Sequence, residues 1–145
     1  MTSARRPGDR GSMSVFTVIF SVMVFMLAGL LVDGGGAINA RLRAADIAEQ
    51  AARAAADKID VEYLRETGQA RLLGEDEVCA EAKKIVSGYA GSDVRLGECS
   101  VGGGQGEVTV RVSAAWTSFF LAALGFPGSD MEASATAGPD MGDDG

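Results

Sequence analysis

The most one-sided stretch of the chain is Met13–Val32, MSVFTVIFSVMVFMLAGLLV, 20 residues without a charge. Its only polar side chains are Ser14, Thr17 and Ser21, whose hydroxyls are able to bond back to helix carbonyls. Twenty residues rising 1.5 Å each make about 30 Å, the depth of a bilayer's hydrocarbon core, so the pattern predicts a transmembrane helix over 13–32. Two other readings compete. A core helix of a soluble protein would need more surrounding chain than 145 residues supply. A cleaved secretory signal has a shorter apolar run ending at a small-x-small site, and the best such site, Gly35-Gly36-Ala37, leads straight into another helical pattern. Arg5, Arg6 and Arg10 precede the span and Asp33 follows it, which predicts a cytoplasmic N-terminus over 1–12 and an outward-facing remainder. Ser14, Thr17, Ser21 and Ala28 recur at spacings of 3, 4 and 7 and share one helix face. Such a stripe admits a close second helix, unless its hydroxyls are simply satisfied within their own.

The next pattern begins with Gly34, Gly35 and Gly36, which cost a helix roughly 1 kcal/mol each relative to alanine, so a hinge or break is expected there. From Ala37 to Ile59 the period is helical again. Ile38, Leu42, Ala45, Ala48, Ala52, Ala55 and Ile59 form the apolar stripe, and Arg43, Asp46, Gln50, Arg53 and Asp57 the polar face. Glu49 and Arg53 stand i, i+4 in the favourable order. So alanine-rich a stripe buries little area per residue and requires a close partner surface. Residues 33–59 therefore read as hinge and Ala-rich helix.

Residues 60–138 read as an extracytoplasmic α+β domain. A short helical turn at Val61–Glu66 leads to a second helix opened by Glu75, Asp76 and Glu77 and stopped near Gly88 and Gly91. The three acids suit the positive end of a helix better than a metal. Val94 and Leu96 alternate with charges, and Gly97 allows a bulge before Cys99 and Val101. After the turn Gly102–Gly106, the alternation of Val108, Val110 and Val112 with Thr109, Arg111 and Ser113 predicts a half-buried strand. Met131, Ala133, Ala135 and Ala137 predict another. Between these strands runs the apolar segment Trp116–Phe126. Its placement in the core is the first expectation; the other is an exposed patch of Trp116, Phe119, Phe120, Leu124 and Phe126 for a partner or the membrane surface. The end, residues 139–145, reads as an acidic disordered tail.

Composition narrows the chemistry. There is no histidine, which removes Ser–His–Asp and Cys–His nucleophiles and the two-His zinc helix. The net charge of −7 conceals an asymmetry: beyond the span there are 10 basic and 19 acidic residues. An acidic domain without a basic patch argues against nucleic-acid binding. The two cysteines, Cys79 and Cys99, most simply pair in an outward-facing domain and tie the second helix to the first strand. No spacing singles out a catalytic carboxylate pair, no cofactor or metal site is read, and no enzyme is expected.

The segment Gly11–Ala56 resembles the N-terminal region of the TadE/TadG-like proteins of tight-adherence (Flp) pilus systems. The likeness is carried by Arg10-Gly11-Ser12 before the span, Val32-Asp33-x-Gly35 at its outer end, and Arg43-Ala44-Ala45-Asp46-Ile47-Ala48-Glu49-Gln50-Ala51-Ala52, similar to the family's AAD-x-A-x-x-A helix. The valine strand, the Leu-Gly-containing apolar run and the final small-residue strand look like small actinobacterial members. The resemblance implies a pilin-like α+β fold: a long N-terminal helix, a second short helix and a small antiparallel sheet. It implies a non-enzymatic, membrane-anchored minor pilin-like or pilus-assembly component, in contact with membrane lipid and with other pilin-like subunits or assembly membrane proteins. It also marks Gly11–Ser12 as a candidate prepilin-peptidase site. Pilins and many related pseudopilins carry glutamate five residues after the cut, where this chain has Phe16. The alternative is a membrane-tethered extracytoplasmic binding or regulatory module unrelated to pili.

Overall fold

A computed structural model describes residues 10–139 except 90, 92 and 105, with no side-chain description for 10–12. The expectations for residues 1–9 and for the tail from Asp140 lie outside these residues.

The chain opens with one continuous helix, α1, Arg10–Ala56. At 47 residues it is about 70 Å long, and its two halves meet different surroundings. Every residue from Met13 to Ala28 is exposed, whereas Ala44, Ile47, Ala48, Ala51, Ala52, Ala55 and Ala56 are buried. Two short helices follow: α2, Val61–Thr67, and α3, Glu75–Gly88. Asp60 caps α2 by accepting the Tyr63 N–H at 3.0 Å, and Gly68 closes it in the left-handed conformation, φ 71°.

Three antiparallel strands, β1 (Val94–Val101), β2 (Val108–Thr117) and β3 (Gly128–Ala137), form a sheet in that order. Val108↔Ala137 through Thr117↔Gly128 pair in unbroken register, while β1 slips against β2 between Leu96 and Glu98, at the Gly97 bulge the sequence predicts. One sheet face is covered by helices: α1 over β2 and β3, α3 over β1. Val108, Val110, Val112 and Ala114 of β2 meet the alanines of α1 and Val78, Ala82 and Val86 of α3. Alanine's small side chain lets α1 lie close to the sheet, so the bulk is supplied by β2 valines. The outer sheet face is polar, with Arg95–Asp130 paired at 2.7 Å and the Thr109 and Thr136 hydroxyls 2.8 Å apart. Cys79 of α3 is disulfide-bonded to Cys99 of β1, with Cα atoms 5.8 Å apart.

Two expectations are corrected. Gly34, Gly35 and Gly36 do not break α1; the helix runs through them. It is held on both sides of the triplet, by Asp33 contacts to the β2–β3 connection and by the docked alanine face. The apolar stripe is also rotated from its expected phase. Ala48, Ala52 and Ala55 are buried, but Ile38 and Leu42 are 64% and 58% exposed, and the core instead takes Ala44, Ile47 and Ala51. An Ala-rich helix offers two overlapping apolar faces, and close approach to the sheet selects the one of smaller residues.

Candidate membrane and subunit interface

Gly29, Asp33 and Gly36 follow one another at spacings of 4 and 3 and so share one face of α1. The β2–β3 connection folds onto that face. At its upper end Trp116 covers Gly36: a Cβ there would stand 2.7 Å from Trp116 Nε1. At its lower end Phe120 covers Gly29, where a Cβ would stand 2.8 Å from the ring. Both glycines are needed for this approach rather than for a bend.

Between them Asp33, only 2% exposed, points its carboxylate into the connection. Oδ1 accepts the N–H of Phe119 at 2.8 Å; Oδ2 accepts those of Phe120 at 2.9 Å and Leu121 at 2.6 Å. These donors open a short 3-10 turn, Leu121–Leu124. A helical turn presents unsatisfied N–H groups at its start, and the carboxylate supplied from α1 serves them from 88 residues away in sequence. The connection closes on itself as well. Phe126 N–H donates to Leu121 O at 3.0 Å, Ser118 N–H to Pro127 O at 3.2 Å, and the Ser118 hydroxyl to Phe126 O. Gly125 turns the chain at φ 93°.

With its backbone bonded inward, the connection turns its side chains out. Phe119 is 79% exposed, and Phe120, Leu124 and Phe126 are exposed too. The expectation that Trp116–Phe126 completes the core is therefore corrected. Only Ser118 is buried in it and Trp116 is half-buried; the expected patch is a surface. Phe119 and Phe120 meet edge to face at 5.3 Å. Phe120, Leu121 and Leu124 face Val22, Phe25, Met26 and Leu30 of α1 across an open groove lined by apolar side chains. This patch is thus continuous with the bare Met13–Ala28 stretch of α1.

Ser14, Thr17, Ser21 and Ala28 are exposed and lie outside the groove lining. The Thr17 hydroxyl donates to Met13 O at 2.9 Å and that of Ser21 to Thr17 O at 2.8 Å, within their own helix. Gly11 and Ser12 fall in the first turn of α1. Glu75 and its neighbours open α3, where Glu75 also accepts the Val101 N–H at 3.4 Å. Among the described residues no group of three or more His, Cys, Asp or Glu side chains is placed to hold a metal ion.

The contacts of Asp33 and Gly29 with the β2–β3 connection are what residue-by-residue reading misses. Their signal is the Gly-x3-Asp-x2-Gly spacing at the C-terminal end of an apolar helical stretch. It identifies a face, but not what covers that face.

Residues 11–58 match the family model described as "Putative Flp pilus-assembly TadE/G-like". The segment that resembles TadE/TadG-like proteins by its motifs is thus TadE/G-like by the family model as well, and it coincides with α1 almost end to end. No curated protein and no solved structure matches the chain.

Proposed function

We propose that this chain, TadE/G-like over residues 11–58, is a non-enzymatic, membrane-anchored component of a tight-adherence-type pilus-assembly system, built like a minor pilin. The observation that carries the reading is the division of α1. Met13–Val32 is apolar and charge-free, and bare from Met13 to Ala28; Ala44–Ala56 is docked on a small antiparallel sheet. The family match supports a role related to pilus assembly, and the apolar helix is long enough to cross a membrane.

In this reading Met13–Val32 spans the bilayer, the N-terminus is cytoplasmic and the disulfide-tied domain stands outside. Pilin-like subunits or assembly membrane proteins meet the Ser14–Ala28 stripe and the outer face of α1, where Ile38 and Leu42 remain uncovered. Bilayer hydrocarbon gives no hydrophobic drive between helices, so association there relies on the close approach that small side chains permit. A prepilin peptidase is a partner only if Gly11–Ser12 is cut.

The test is deletion of the gene in its source cell, followed by counting surface pili and restoring the full chain. Loss of pili, regained with the wild-type chain, supports the role. A full complement of pili without the gene refutes it. The mature N-terminus in cells with and without prepilin peptidase decides between a processed subunit and a permanently anchored one.

A further inference from the structure

We propose that the β2–β3 connection, Phe119–Phe126, is a second membrane element, lodged beside α1 in the outer leaflet with lipid acyl chains filling the groove between them. This rests on the reading of Met13–Val32 as a transmembrane helix.

Phe120 is packed on Gly29, and Leu124 shares a groove with Phe25 and Met26. All three α1 positions lie inside the charge-free stretch, four to eight residues before Asp33. At 1.5 Å per residue these contacts fall about 6–12 Å below Asp33 along the helix axis. If residues 13–32 cross the bilayer, the connection cannot stay in water: it is fixed to the part of α1 that lies in hydrocarbon. That depth matches the 5–10 Å typical of elements that lie at the headgroup–acyl boundary.

The composition agrees. From Val112 to Ser129 there is no charged residue, and the flanking charges, Arg111 and Asp130, sit on β2 and β3. The residues turned outward are Phe119, Phe120, Leu124 and Phe126, an apolar surface continuous with that of the helix. Trp116 stands above them at the level of Gly36, where an indole would meet the membrane–water interface.

Backbone chemistry supplies the strongest reason. Non-helical chain survives at membrane depth only when its N–H and C=O groups are satisfied by protein. Here Asp33 takes three consecutive N–H groups, those of Ser118, Ala123, Gly125 and Phe126 bond to the carbonyls of Pro127, Phe120, Ala122 and Leu121, and Pro127 has no N–H, so most of the connection's donors are served by protein. A buried carboxylate at the end of a span, serving an exposed apolar loop, has a clear purpose if that loop is in lipid. In water, solvent would serve the same donors.

The test uses the full chain in phosphatidylcholine vesicles, with the single tryptophan moved. Leu124→Trp in a Trp116→Phe background reports on the connection; Phe20→Trp in the same background, exposed on α1 and outside the groove lining, reports on the helix. Phe119→Trp, the most exposed of the connection's large apolar side chains, serves as a second reporter if the first perturbs folding. Lipids brominated on the acyl chain should quench the reporters at 124 and 119 as well as that at 20, with blue-shifted emission. Quenching at 20 without quenching at 124 and 119 overturns the inference, leaves the anchor intact and gives the groove to protein, such as a helix of a second copy. Absence of quenching at 20 overturns the anchor itself.

Discussion

The Asp33 carboxylate accepts the Leu121 N–H at 2.6 Å, joining the C-terminal end of the apolar stretch of α1 to the tip of the β2–β3 connection. With the bonds to Phe119 and Phe120, this contact sets how the globular part sits on α1. It places Trp116 on Gly36 and Phe120 on Gly29, so one side chain fixes the level at which the domain meets the apolar stretch of α1.

Replacing Asp33 should free that connection without unfolding the sheet. In Asp33→Leu, which keeps the size and removes every acceptor, the amide hydrogens of 119–121 are expected to exchange roughly tenfold faster or more in detergent. Those of Val110 and Val112 should be unchanged. Unaltered exchange at 119–121 would show that the carboxylate does not hold the turn.

The glycine triplet separates two roles that composition alone merges. A Cβ at Gly35 meets nothing within 4 Å, so Gly35→Ala should gain the ordinary helix preference of about 1 kcal/mol. A Cβ at Gly36 would stand 2.7 Å from the Trp116 ring, so Gly36→Ala should forfeit that gain and destabilise. Denaturant unfolding of the two variants, compared with wild type, measures the opposite signs.

Removing the disulfide, as Cys79→Ser with Cys99→Ser, should lower stability by about 3 kcal/mol, since the bond closes a loop with a sequence separation of 20. Reduction of the wild-type chain should reproduce the loss. A melting temperature indifferent to reductant would contradict the contribution assigned to it.

Acid should weaken the strap between α1 and α3. The Tyr63 N–H and then the Arg71 guanidinium, 2.6 Å away, hold the Asp60 carboxyl below its usual 3.8. The unfolded chain therefore binds this proton more readily than the folded one. The stability Asp60 contributes is complete above pH 3.8 and is lost as pH falls through its lower folded value. Lys58, 3.2 Å from Glu81, and then Lys84 depress the Glu81 carboxyl in the same direction, so both groups weaken the fold on acidification. Asp60→Asn should flatten the acid limb of a stability–pH profile.

Much of this fold is written locally. The acids that open α3, the Gly97 bulge and the valine alternation of β2 depend on neighbours a few residues away, and each appears where its pattern predicts. What the pattern does not contain is which of several apolar faces meets which. Ile38 and Leu42 look like the buried stripe because they are large, yet the sheet selects alanines. Three glycines suggest a break, yet one lies beneath Trp116 and the helix continues. Phe119, Phe120 and Phe126 have core composition, yet their connection is tied to α1 by Asp33 and left outside. Each difference is settled by a long-range contact, which local spacing does not encode.

In the proposed reading α1 lies in two solvents, bilayer around Met13–Val32 and extracytoplasmic water beyond. The chain's three lysines, Lys58, Lys83 and Lys84, all lie beyond the span, and the Lys84 side chain is 75% exposed. Intact cells treated with a membrane-impermeant amine reagent, then lysed and washed with alkaline carbonate, test both at once. The chain is expected to stay in the washed membranes and to be labelled already at Lys84. Label reaching Lys84 only after lysis, or a chain released by carbonate, would refute the reading.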